Sequence, residues 1–365
     1  MSTLNKLETH ESWNYLNTVM QAPLFYGYHQ PQSLSPSMYM ELIESVKKTK
    51  NVRIFTHSPN GFHHPSIPNL YFTKLGHKLF RLAQDYTHNP YFSNRLNGVF
   101  IHPEIHLFGQ LMFKHNLNHF SHSQYYQHFE KTCEACIADF KVQIQLSAFK
   151  ADLKSWNTKF TCANSAYDHF MAFIARETNI FEVHSILIQR QLRHGREPEF
   201  GDPRFADPAF GDLSALEIVE EKAKQIISAV WKNRQKNDVL GILSKKETNV
   251  CNTSTIRLIF FVKRMNSDLV EFNQTQLFKI LKPFLIEYDL DSVSIGTKIS
   301  TMNTGCAHLF QGQHSNYYDM NQIHTGNRLN ILKSQIVTSD IWLRIKSFST
   351  TVTVERGANE YHRGK

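Results

Sequence analysis

Apolar residues recur at three- and four-residue steps along Met38 to Lys48, Leu70 to Tyr86 and Ser165 to Glu177, and this spacing predicts helices there. Tyr125 to Phe140 reads the same way and carries Cys133 and Cys136 on one side. Asn51 to His57 predicts a short strand, ended by the turn cluster Ser58-Pro59-Asn60-Gly61. Loops dense in Asn, His, Pro and Ser separate these stretches, so residues 1–180 form a mostly helical region. The pattern then changes. Ile186-Leu187-Ile188 is a short buried-strand signature. Ser214 and Glu217 have capping-box spacing, and Leu216, Val219, Ala223, Ile226 and Val230 continue an amphipathic helix to about Asn237. Asp238 to Leu243 turns β-like. Thr255 to Lys263 reads as a strand, with Ile256, Leu258, Phe260 and Val262 on one face, and the polar residues before it predict a hairpin. Asn273 begins a helix that Pro283 limits. The expected class is α+β: a mostly helical region 1–180, then a region 181–365 whose antiparallel sheet carries helices on one face.

Composition supports a folded chain. Of 365 residues, 41% are hydrophobic and 20% charged, which excludes the low-hydrophobicity signature of disorder. No run approaches the roughly 20 apolar residues of a membrane span; Leu258 to Val262 is among the longest, so no membrane partner is expected. The first ten residues have no basic-then-apolar layout, which points to a cytoplasmic protein. The net charge is +8. From Glu41 to Arg81 seven bases face two acids, and from Lys333 to Lys365 six face three. Such bias is either an ordinary solvated face or a phosphate-facing one.

Five cysteines, odd in number and scattered, argue for reduced thiols and against a disulfide framework. Cys133-Glu-Ala-Cys136 has the spacing of half a zinc site but lacks a second pair, so both read as small buried residues. Eleven of twenty histidines lie between His57 and His128. His102-Pro-Glu-Ile-His106 places its glutamate one position from where a zinc-protease base would stand. His115 and His119 would stack on a helix, yet satisfied or solvent-facing histidines explain the cluster without a metal. Asp202, Asp207 and Asp212 repeat with a period of five in the Phe200–Asp212 segment, without calcium-loop spacing, which reads as a surface loop.

The order of motifs after Ile186 resembles the inovirus gene-two-type replication proteins and their prophage relatives, rolling-circle initiators with the His-hydrophobe-His endonuclease fold. Ile188-Gln-Arg-Gln-Leu192 stands at the first family strand, and Leu240-Gly-Ile-Leu-Ser-Lys-Lys-Glu247 at the second. Thr255-Ile-Arg-Leu-Ile-Phe-Phe261 stands at the metal-binding strand. Gln335-Ile-Val-Thr338 and Asp340-Ile-Trp-Leu-Arg-Ile-Lys346 stand at the terminal Tyr-to-Lys stretch and the segment after it. The resemblance implies a DNA-binding protein of a mobile element or prophage.

Its departures fall on the chemistry. The family holds a divalent cation with two strand histidines while a tyrosine attacks phosphorus; here Thr255 and Arg257 occupy the ligand positions. Gln191 replaces an aspartate, and Gln335 and Thr338 replace the tyrosine and lysine. Only Glu247 survives, so the resemblance implies a degenerate active site without nicking and without a resident metal. Arg257 then either grips a phosphate bidentately or pairs with Glu247. Lys245, Lys246, Lys263, Arg264, Arg344 and Lys346 are candidate contacts to single-stranded or hairpin DNA. Two alternatives stay open. One is an active nickase with relocated ligands for Mg²⁺ or Mn²⁺ and Tyr317 or Tyr318 as nucleophile; the other is a protein-interaction module on the same fold.

Overall fold

The structure is a computed structural model. It describes residues 36–50, 52–57, 60–63, 70–86, 99–117, 126–189, 213–248, 254–264, 274–284, 317–322, 325–338, 343–345 and 352–356. The Phe200–Asp212 segment, Gln191, His119 and Lys346 lie outside them. The chain divides into two compact units whose main segments meet between Lys159 and Phe160, with Ile341–Leu343 assigned to the first.

In the first unit, α1 (Pro36–Lys48) is followed by three short strands, β1 (Phe55–Thr56), β2 (Phe62–His63) and β3 (Tyr71–Phe72), paired in the order β1-β3-β2. Then come α2 (Lys74–Tyr86), β4 (Val99–Ile101), α3 (Pro103–Lys114), α4 (Tyr126–Gln143) and the start of α5 (Ser147–Glu177). The predicted helix from Leu70 thus starts late, because Tyr71 and Phe72 close the small sheet and Thr73 caps the helix: its Oγ1 accepts from Gly76 N at 3.0 Å. Leu42, Ile43 and Val46 of α1, Leu79 and Leu82 of α2, and Phe108 of α3 are buried. Phe108 meets Phe140 of α4 edge to face, with centroids 5.2 Å apart.

The second unit takes the rest of α5, then β5 (Ile180–Gln189), α6 (Leu213–Lys232), β6 (Val239–Thr248), β7 (Ser254–Lys263), α7 (Gln276–Leu281), β8 (Tyr317–Asp319), α8 (Thr325–Ile336) and β10 (Val352–Arg356). Between the last two lies β9 (Leu343–Ile345). The expected hairpin is present: β6 and β7 are antiparallel and pair along their length. The large sheet has the order β10-β6-β7-β5-β8, antiparallel throughout. From β5 to β8 the chain therefore runs strand, helix, strand, strand, helix, strand, with β7 between β5 and β6. That is the split β-α-β arrangement of ferredoxin-like domains, extended here by β10.

Sequence spacing explains how the sheet is covered. Val219, Ala223, Ile226 and Val230 of α6 recur at four, three and four, and all are buried against Ile186, Leu258 and Phe260. Leu277 and Leu281 of α7 complete this layer. At roughly 1.5–3 kcal/mol per fully buried large apolar side chain, this layer is the main source of the unit's stability. Asn237 joins helix to strand: its Nδ2 donates to Val230 O at 2.8 Å and its Oδ1 accepts from Val239 N at 3.1 Å. Asp238 beside it has φ 46°, a left-handed turn that Asp tolerates.

The α+β class holds, with one addition: helices cover both faces of the sheet. Phe170 of α5 packs edge to face on Phe261, centroids 4.9 Å apart, on the side away from α6. For the same reason the second unit begins within α5 and not at 180/181. The change of sequence pattern marks where strand starts, whereas packing assigns the second half of α5 to the sheet.

Candidate nucleic-acid interface

Alternation along β7 sends Ile256, Leu258, Phe260 and Val262 toward α6 and α7, and Arg257, Ile259 and Phe261 to the opposite face. Lys245 is the direct cross-strand partner of Arg257. Directly opposed residues share a face with their Cβ atoms about 5 Å apart, so the two cations are neighbours on the face away from α6. Both are buried, Lys245 at 2% and Arg257 at 5% exposure. Both charges therefore sit where little water screens them. Neither side chain offers a lone pair while charged, so neither ligates a metal ion.

The other basic candidates go elsewhere. Lys246 points to the helix-covered face, where its Nζ lies 2.5 Å from Glu220 Oε1 of α6. Arg264, just past β7, reaches Glu182 Oε2 of β5 at 2.8 Å. Lys263 is half-buried, and its backbone N–H donates to Asp238 O at 2.9 Å. Arg344 contributes its backbone to β9, and its side chain lies outside the described residues, as does all of Lys346. Glu247 is the cross-strand partner of Thr255. The side chains of both fall outside the described residues, and with them the pairing of Glu247 with Arg257. Gln335 lies in the last turn of α8, and Thr338 follows it, buried.

The two tyrosines part company. Adjacent on β8, Tyr317 and Tyr318 point to opposite faces. Tyr318 is a core residue, stacked on Phe181 at 5.2 Å with Arg328 4.6 Å above its ring. Tyr317 is half-buried and is the cross-strand partner of Glu182. Its pKa is raised by burial and by the negative charges of Asp319 and Glu182, which favours a phenol that donates over a phenolate that attacks.

Sequence reasoning missed Glu182 and His184. They stand two apart at the start of β5, so they share the α6-side face, and His184 Nε2 lies 2.9 Å from Glu182 Oε2. A carboxylate only accepts, so Nε2 carries the proton. Burial pushes the Glu182 pKa up, but the hydrogen bonds from His184 and Arg264 outweigh it and hold the carboxyl below its ordinary range. The signal was present: two ionisable residues at alternate positions among the apolar residues that begin the strand.

Among the described residues, His102, His115, Cys133 and Cys136 have structural roles. His102 caps α3, its Nδ1 accepting from Glu104 N at 3.3 Å, and Glu104 is buried 2.6 Å from Lys47 Nζ. His106 is exposed, so the two histidines of the His102–His106 motif diverge. His115 Nε2 lies 3.0 Å from Asp139. Burial raises the Cys133 thiol well above its usual range and pushes Cys136 up to about 12, so both stay protonated. Among the described residues, no group of three or more His, Cys, Asp or Glu is placed to hold a metal ion, and no helix is long and apolar enough to cross a membrane.

No family model matches the chain, and no curated protein or solved structure matches it either. The likeness to rolling-circle initiators therefore rests on the motifs quoted above.

Proposed function

We propose that the second unit binds nucleic acid, single-stranded or hairpin DNA, without cutting it, and that Lys245 and Arg257 meet a backbone phosphate. One observation carries this reading: two buried cations are cross-strand partners on the sheet face away from α6. A guanidinium matches two phosphate oxygens at once, and the ammonium beside it adds a point charge. The split β-α-β order supports the reading by analogy, since four-stranded sheets of this kind present a face to single strands in other nucleic-acid-binding domains. Here, however, α5 packs on one end of that face. Arg257 in place of a ligand supports binding over nicking. The chain is then a relic initiator of a mobile element that holds DNA and leaves it intact.

The test is binding to single-stranded and hairpin DNA across a salt series. Affinity that falls as salt rises, and falls further in Lys245→Gln and Arg257→Gln, is the expected result. Affinity indifferent to salt, or unchanged in both variants, defeats it.

A second reading has its own observation. Glu182, His184 and Tyr317 share the α6-side face at the β5–β8 edge, as a relocated acid–base site would require. Incubation with supercoiled DNA and Mg²⁺ or Mn²⁺ decides between the two. A nicked product lost in Tyr317→Phe favours the second.

A further inference from the structure

The first unit holds an exposed aromatic in an unusual setting. Phe62 of β2 is 47% exposed, yet its ring lies flat on His77 of α2, centroids 4.1 Å apart and planes at 6°. Scattered exposed apolar residues need no explanation, but this ring is held in place by the backbone beneath it. A Cβ on Gly61 would come within 2.7 Å of Phe72 O and 2.8 Å of Tyr71 Cβ, so only glycine lets the turn press against β3 and deliver Phe62. On the other side, a Cβ on Gly76 would stand 2.0 Å from Ile54 O. That close approach seats α2 on the chain leading into β1 and brings His77 beneath Phe62.

The surroundings are cationic. Lys74 and Arg81 stand three residues before and four after His77, on the same side of α2. Both are exposed, and neither makes an ion pair among the described residues. Lys78, by contrast, is tied to Glu41 at 2.9 Å. Arg53 is exposed too, and its carbonyl accepts from Thr73 Oγ1 at 2.6 Å, which places it by the helix start. Burial, and then the charge of Arg81, lowers the His77 pKa, so the imidazole beneath the ring is a neutral stacking surface near pH 7.

We propose that the Phe62–His77 stack, flanked by Lys74 and Arg81, is a platform for an unpaired base of single-stranded nucleic acid, separate from the sheet face of the second unit. A flat ring with an open face suits a base, and cations at helical spacing suit the phosphates on either side of it. A duplex is the wrong occupant because its bases are already stacked and paired. The inference stands whether or not Lys245 and Arg257 bind phosphate.

The experiment uses the full chain and an oligothymidylate carrying 5-iododeoxyuridine, irradiated and mapped by mass spectrometry. The expected adduct lies on the peptide containing Phe62, and persists in the Lys245→Gln/Arg257→Gln double variant. Phe62→Ala is expected to weaken binding of plain oligothymidylate roughly tenfold, and Phe62→Trp to preserve it. Phe62→Leu keeps an apolar contact on His77 but lacks a stacking face, and should behave as Phe62→Ala with an unchanged melting temperature. Lys74→Gln with Arg81→Gln should flatten the dependence of log affinity on log salt by about 1.4, the share of two phosphates on a single strand. Adducts confined to other peptides, or wild-type affinity in both Phe62→Ala and Phe62→Leu, overturn the proposal.

Discussion

The two faces of the large sheet handle charge in opposite ways. On the α6 side, polar groups come as complementary sets: Lys246 with Glu220, and Glu182 with His184 and Arg264. On the other side, Phe261 and Phe181 lie near Phe170 at one end, while Lys245 and Arg257, both positive, are neighbours further along. Lys245 and Arg257 are like charges directly opposed across the strands, an arrangement that costs stability on a sheet unless other groups offset it. On the α6 side, groups of opposite sign meet, whereas on the other side two of one sign stand directly opposed.

The largest test compares adjacent phenylalanines. Phe260 lies under α6 and Phe261 under α5, and both are fully buried. Each change to Ala is expected to cost about 3–5 kcal/mol by urea unfolding. A Phe261→Ala cost far below that of Phe260→Ala would mean that α5 merely lies over the sheet, and the two-sided core would be wrong.

Next comes the matched set on the α6 side. Glu182→Ala leaves Arg264 and His184 facing a gap, and about 3 kcal/mol of lost stability is expected. The sign of the pH effect follows from the lowered carboxyl pKa of Glu182. A group whose pKa is lowered on folding stabilises the protein above its unfolded pKa, and that stability drains away as pH falls through the folded value. Acid unfolding of the wild type should therefore contain a component that Glu182→Gln lacks. Parallel acid curves for the two proteins would show that the carboxylate contributes nothing.

How far the sequence announced this depends on the kind of signal. The α6 stripe and the β7 alternation were legible because each repeats a period over several turns or residues, and both elements formed where expected. The strand β4 and helix α3 went unread. The apolar steps of α3, at Ile105, Phe108, Leu111 and Met112, span only about two turns. Lys245 and Arg257 were each named from sequence, but their adjacency needed the register of β6 on β7. Lys246 and Arg264 looked equivalent to them as a string of cations. Period-two alternation sent Lys246 to the other face, while Arg264 follows β7 and turns to Glu182. The Phe62–His77 stack joins residues whose contact depends on two glycine close approaches, which no local pattern displays.

A third test probes the Lys245–Arg257 pair through the proposed phosphate contact. Lys245→Gln and Arg257→Gln should each weaken single-stranded DNA binding about tenfold, near 1.4 kcal/mol. Their effects should combine less than additively, since neighbours on one phosphate share the same contact. Stability is measured alongside by urea unfolding. Strong destabilisation in either variant would place the pair with the fold and not with a ligand.

The smallest effect belongs to Lys246, and its smallness is the informative part. Its ammonium and the Glu220 carboxylate are each partly open to water, at 20% and 27% exposure. An ion pair in that setting is worth on the order of 0.5 kcal/mol once screening and side-chain ordering are counted. Lys246→Ala should therefore lower stability by about that amount and leave DNA affinity and its salt dependence unchanged, because the side chain faces α6. A change of sequence number by one separates it from Lys245, and only the strand's alternation makes the two differ. If Lys246→Ala weakened DNA binding as much as Lys245→Gln, the assignment of faces would fail as a guide to function, and a diffuse basic surface would replace the two-cation site.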